Sequence, residues 1–175
     1  LNMIIATNIS GHLRASLIIS ISVCIFLLNG RLSAQEEPPR PMSLSTFQNL
    51  SFGAFITGFM GGTVIIYPDG TRSVTGDIIT VFQGYQHHPA IFEVEANPGV
   101  IISIMNGPDI SLNGSNGGTL TLHLGGSIPE SPFINTLRPP FRTQVRIGGT
   151  LIVGNMLDNP AGEYSGTFSV TFIQE

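Results

Sequence analysis

Residues 146–174 read RIGGTLIVGNMLDNPAGEYSGTFSVTFIQ, and the last part of that stretch decides the fold. From Glu163 onward the side chains alternate with a period of two. Tyr164, Gly166, Phe168, Val170 and Phe172 fall on one face, and Glu163, Ser165, Thr167, Ser169 and Thr171 on the other. Successive side chains of an extended chain point to opposite sides, so the pattern predicts a strand with one buried and one wet face. Asn159-Pro160-Ala161-Gly162, just before it, predicts a tight turn: proline presets φ, and glycine tolerates positive φ.

The same alternation recurs upstream. Val145 and Ile147 carry it, and Gly148-Gly149 then allows a bulge before residues 151–153. Leu120, Leu122 and Leu124 alternate with Thr119, Thr121 and His123; Phe92, Val94 and Ala96 alternate with Glu93 and Glu95. Pro68-Asp69-Gly70 and Asn97-Pro98-Gly99 are turn signals. Residues 58–62 predict a glycine-rich loop ahead of a strand over 63–67, and Gly76 separates short strands over 72–75 and 77–82. Residues 125–140, with Pro129, Pro132, Pro139 and Pro140, predict an irregular stretch. Segments of about five to seven residues between regular turn signals, with no helical period, predict an all-β, immunoglobulin-like antiparallel β-sandwich over residues 42–175.

Composition agrees with one domain of this class. The chain has 175 residues, 21 glycines, 12 prolines, no lysine and only 10% charged residues. Its net charge of -4 provides no basic stripe to neutralise phosphates, which excludes a nucleic-acid partner, and no polybasic patch for a membrane surface. Residues 1–34 read as a cleaved signal peptide. His12 and Arg14 precede an apolar run over 17–28, and Leu32-Ser33-Ala34 supplies small residues before Gln35. The run is shorter than the roughly 20 residues a spanning helix needs, so no membrane span is expected in the mature chain. Cys24, the single cysteine, lies inside it, so the mature protein is expected to be free of disulfides. Residues 35–41, QEEPPRP, predict an extended proline-rich tail.

Candidate chemistry is sparse. His87-His88-Pro89 invites a metal, but neighbours in an extended chain point apart and His123 lies on another strand's wet face, so the expectation is no metal. Glu93 and Glu95 read as solubilising charges that discourage edge pairing rather than as an acid–base pair. Asp69 and Asp77 read as turn formers. No nucleophile elbow with a His–Asp partner is present, so neither catalytic residues nor a cofactor are expected. Asn49-Leu50-Ser51 and Asn113-Gly114-Ser115 match the glycosylation pattern by chance. Phe55, Phe59 and Met60 are candidates for an apolar patch or for caps on the core. Tyr67, Phe82 and Tyr85 are the aromatic candidates for sugar stacking, scattered in sequence.

Several phrases together resemble the bacterial domain-of-unknown-function family 4402. They are Leu50-Ser51-Phe52-Gly53, Gly61-Gly62-Thr63-Val64, Pro68-Asp69-Gly70-Thr71-Arg72, Gly148-Gly149-Thr150-Leu151 and the run from Asn159 to Val170. The resemblance covers nearly the whole chain from Met42 and implies an exported β-sandwich of a Gram-negative bacterium. The proline-rich stretch before Arg142 departs from the family's pattern. The C-terminal phrase also resembles the last strand of spore-coat-U-like and chaperone–usher pilin-type subunits, which implies a surface or filament role. Ala161-Gly162-Glu163-Tyr164 further resembles the tyrosine corner of immunoglobulin-like folds, where a hydroxyl bonds backbone a few residues upstream. On that reading no residues remain for a seventh strand, and an open edge invites a strand from another chain, with Met42-Ser43-Leu44-Ser45-Thr46-Phe47 as the candidate donor. The expected role is therefore an exported, non-catalytic structural or adhesive protein of the periplasm or cell surface, a pilin-like subunit that self-associates or exchanges strands. The alternative is a secreted glycan- or peptide-binding module that uses the sandwich loops.

Overall fold

The computed structural model describes residues 40–175; the expected leader over residues 1–34 and most of the tail over 35–41 lie outside them. The described chain forms thirteen strands and no helix, hence none long and apolar enough to cross a membrane. They are β1 (Ser43–Gln48), β2 (Ser51–Phe52), β3 (Phe55–Ile66), β4 (Arg72–Thr80), β5 (His87–His88), β6 (Ala90–Glu95), β7 (Ile101–Asn106), β8 (Ile110–Gly114), β9 (Thr119–Ile128), β10 (Phe133–Ile134), β11 (Thr143–Val153), β12 (Tyr164–Ser165) and β13 (Val170–Gln174). All pairings between these strands are antiparallel, as the period-two pattern and short connections require.

β11 is the axis of the large sheet. On one edge it pairs with β6 through Thr143 to Ile147 and then with β3 through Gly149 to Val153, so two strands lie end to end along it. On the other edge it pairs with β9, which leads to β8 and β12. The register on β9 shifts between Ile147 and Gly149, which places the expected bulge at the glycine pair. A Cβ on Gly148 would collide with the Ile66 carbonyl where β3 takes over from β6, so the close approach there requires glycine. β1 extends the sheet beyond β6, and β4 extends it beyond β3. A second sheet of β10, β7 and β13 completes the sandwich, and β2 pairs with β5 in a short ladder.

Two apolar clusters fill the interior. One joins Val64, Ile66, Ile78, Leu120, Leu122, Leu151 and Val153; the other joins Ala90, Phe92, Val94, Ile102, Val145 and Ile147. Leu50, Phe168 and Val170 pack against both. Each fully buried Val, Leu or Ile contributes about 1.5–3 kcal/mol relative to exposure.

β9 runs through Ile128 and β10 lies at Phe133–Ile134, so the stretch over 125–140 is less irregular than expected, and the structure corrects three further expectations. Residues 58–62 are not a loop but part of β3, where Thr57 faces Ile78 and Gly62 faces Gly76, so the extra residues form a wide bulge. Likewise residues 72–80 are one strand through Gly76, whose φ of 71° only glycine holds without strain. Strands of 9–12 residues result, longer than expected, because glycines bend these strands without ending them. Third, the C-terminal alternation is not one strand. β12 pairs with β8 in the large sheet and β13 with β7 in the small one, so the intervening residues cross between layers. A Cβ at Gly166 would lie 2.7 Å from Leu112 Cδ2 and 3.1 Å from the Ser111 carbonyl, which keeps the crossing close to β8.

Candidate functional site

Two features of the fold stand out as candidates: the open edge of β13 beside β1, and a corner built around Arg72. The edge follows from the register. Gly107 N–H donates to the Ser169 carbonyl and Glu175 N–H to the Ile101 carbonyl, both at 2.9 Å. Residues bonded to an antiparallel neighbour alternate, so Thr171 and Ile173 also turn their backbone toward β7. Val170, Phe172 and Gln174 then turn theirs away, and among the described residues β13 pairs with β7 alone.

Side chains along this rim are apolar and incompletely covered. Phe168, Val170 and Phe172 are half-buried, with the Phe172 ring tilted against Phe92 at 5.5 Å. Across the rim, Leu44 faces the same side as its partner Val94, yet Val94 is fully buried and Leu44 is 43% exposed. Met42 N–H donates to Gln174 Oε1 at 3.1 Å and ties the start of β1 to the end of β13. Ser43 to Gln48, most of the expected donor segment, are paired with β6 of their own domain.

Tyr164 stands where the tyrosine corner was expected. Its hydroxyl donates to the Pro160 carbonyl, four residues upstream, at 2.7 Å, and burial raises its pKa above the ordinary value.

At the other corner Arg72 Nη1 donates to the Phe52 carbonyl at 3.0 Å and the Ala54 carbonyl at 3.4 Å. Val81 N–H also donates to Ala54, which brings the loop after β4 against the guanidinium. His87, on β5, has its pKa lowered by burial first and then by Arg72 and His88. His88 keeps a buried Nδ1 with no hydrogen-bond partner among the described residues. Phe82 and Tyr85 project from this loop, 91% and 69% exposed. Tyr67 lies apart, at the turn between β3 and β4, where its N–H donates to the Thr71 carbonyl.

The remaining candidates are dispersed. His123 lies on β9, and its Nδ1 is 2.6 Å from Asp109 Oδ1 on an exposed face. No group of three or more His, Cys, Asp or Glu that would hold a metal occurs among the described residues. Glu93 and Glu95 both pair with Arg142 at 3.3 Å, and Arg142 Nη1 also reaches Ser45 Oγ, so Arg142, just before β11, clasps β6 and β1 on the outer face. Those bonds, Glu93 first, raise the Arg142 pKa. Asp69 Oδ1 accepts from Thr71 N–H and Oγ1–H, which lowers its pKa and makes it the expected turn former. Asp77 instead lies within β4, where a Cβ on Gly58 would run into its carboxylate. Phe55 packs on the core, whereas Phe59 and Met60 stand exposed on the β3 bulge, 72% and 87%.

Reading the sequence alone missed Arg72 and Asn135. The signal for Arg72 was present: it is the only Arg or Lys between Arg40 and Arg138. Asn135 had none. It is buried in the proline-rich stretch, where Nδ2 donates to the Ala96, Asn97 and Leu137 carbonyls and Oδ1 accepts from Thr143.

One family model, described as Domain of unknown function (DUF4402), matches residues 42–173. No curated protein and no solved structure matches the chain.

Proposed function

We propose, from the premise that this chain belongs to the DUF4402 family, that it is an exported, non-catalytic structural or adhesive protein of the bacterial surface that joins another chain by strand addition along β13. The observation that carries the reading is the unpaired edge of β13, with the backbone of Val170, Phe172 and Gln174 turned outward over a half-covered apolar rim. An edge of this kind is a template for main-chain pairing, and the half-covered apolar rim gives the side chains of an incoming strand a surface to cover. Because β1 is already paired with β6, the incoming strand comes from a partner rather than from residues 43–48 of a neighbour. The tyrosine corner supports the immunoglobulin-like frame on which such an edge sits. Glu93 and Glu95 are paired with Arg142, and His123 with Asp109 at an exposed face, which supports a role without a reaction of its own.

The test is the mass of the protein isolated from its own envelope, compared with the same chain refolded alone, by light scattering after size exclusion. The reading expects a complex in the first case and dissociation or self-association in the second. A cooperative, stable monomer from both sources at high concentration overturns it.

A further inference from the structure

We propose that Arg72, Tyr85 and Phe82 form a binding site for a carboxylate-bearing sugar. The site lies on β4 and the loop after it, away from β13, and does not depend on strand addition. Arg72 Nη1 is held by the Phe52 and Ala54 carbonyls, which sets the plane of the guanidinium. Its Nε and Nη2 donors take no partner among the described residues, and no described carboxylate pairs with it. Of these, Nε–H and the Nη2–H on the same side form the fork edge that matches a carboxylate bidentately. A half-buried cation with its fork unused, in an acidic chain, is left for an anion from outside.

The loop is built around that head group. A Cβ on Gly53 would lie 2.9 Å from Arg72 Nη1, 3.1 Å from the Tyr85 carbonyl and 3.3 Å from the His87 nitrogen. Gly53, at φ 71°, thus lets three segments converge where no other residue fits. Tyr85, whose carbonyl lies at the convergence, and Phe82, next to Val81 that bonds the Ala54 carbonyl, both have exposed rings, and aromatic faces of this kind stack on the C–H face of a pyranose. His87 adds a ring nitrogen whose neutral form is favoured by burial and by Arg72 and His88. One fixed cation suits one carboxylate per sugar. A polyphosphate backbone needs several cations, which the chain between Arg40 and Arg138 does not have.

The test titrates the exported chain, by calorimetry, with trigalacturonate, sialyllactose and a hyaluronan tetrasaccharide, each beside its carboxyl methyl ester. Binding of at least one acid is expected, with its ester about tenfold weaker or more, the usual cost of a lost charged hydrogen bond. Arg72→Lys, which keeps the charge and loses the fork, is expected to weaken the acid by a similar factor. Tyr85→Ala and Phe82→Ala alter exposed side chains, so both are expected to keep the thermal midpoint while weakening the sugar. No binding of any acid, equal binding of an ester, or unchanged binding by both ring variants overturns the proposal. So does an equally tight polyglutamate that ignores the ring variants, which makes the corner a peptide site.

Discussion

In β6, Ala90, Phe92 and Val94 are buried at every second position; in β13, Val170 and Phe172 alternate in the same way and stop half-buried. Both strands lie against the same apolar cluster. They differ in their neighbours. β6 has β1 on one side and β11 on the other, whereas β13 has β7 alone. Period-two alternation reports which face of a strand is apolar. It does not report whether another strand comes to cover that face, because the cover is a long-range partner with no mark on the strand itself.

Mutations across the two regions sharpen that contrast. At the centre, Ile147→Ala is expected to destabilise by about 3–4 kcal/mol, within the usual range for a fully buried Ile; a denaturation midpoint shifted by less than a third of that breaks the contrast from the centre. On the rim, Phe168→Ala is expected to cost about 2–3 kcal/mol, below the about 3–5 of a fully buried aromatic, because its ring is only half covered. Tyr164→Phe removes the bond to Pro160 and is expected to cost about 1 kcal/mol. Its pH dependence has a definite sign. Burial raises the folded-state pKa of Tyr164, so its contribution is complete below the ordinary value of 10.0 and is lost as pH rises through the folded value. The wild type should therefore lose stability above about pH 10 more steeply than Tyr164→Phe, as followed by urea denaturation at stepped pH. Smallest of all, Thr167→Ala on the wet face is expected to fall within about 0.5 kcal/mol, and a cost equal to that of Phe168→Ala would reverse the assignment of faces.

The faces were readable in the sequence. Tyr164, Phe168, Val170 and Phe172 are the half-covered set and Glu163, Ser165, Thr167, Ser169 and Thr171 the exposed one, while Gly166, expected on the covered face, is exposed where the chain changes sheets. The partition between sheets was not, since the same alternation runs unbroken from β12 into β13 while the chain changes layers near Gly166. The tyrosine corner was readable because it is local: donor and acceptor sit four residues apart. Asn135 was hidden for the opposite reason, as its acceptors at Ala96 and Asn97 lie 39 and 38 residues away and are backbone carbonyls. Arg72 is similar. Its fixing partners are the carbonyls of Phe52 and Ala54, which carry no residue identity, and the loop after β4 reaches it through backbone atoms, the Tyr85 carbonyl at Gly53 and the Val81 N–H on Ala54.

On the proposed reading, the edge of β13 is unfinished in the single chain and finished by a partner strand. Amide hydrogen exchange on Val170, Phe172 and Gln174, with Val145 and Ile147 of β11 as the internal reference, tests it most directly. In the chain refolded alone, the three β13 amides should exchange far faster than the β11 pair, and in material isolated from the cell envelope they should become protected. Protection of Val170 and Phe172 equal to that of Ile147 in the isolated monomer would contradict the account.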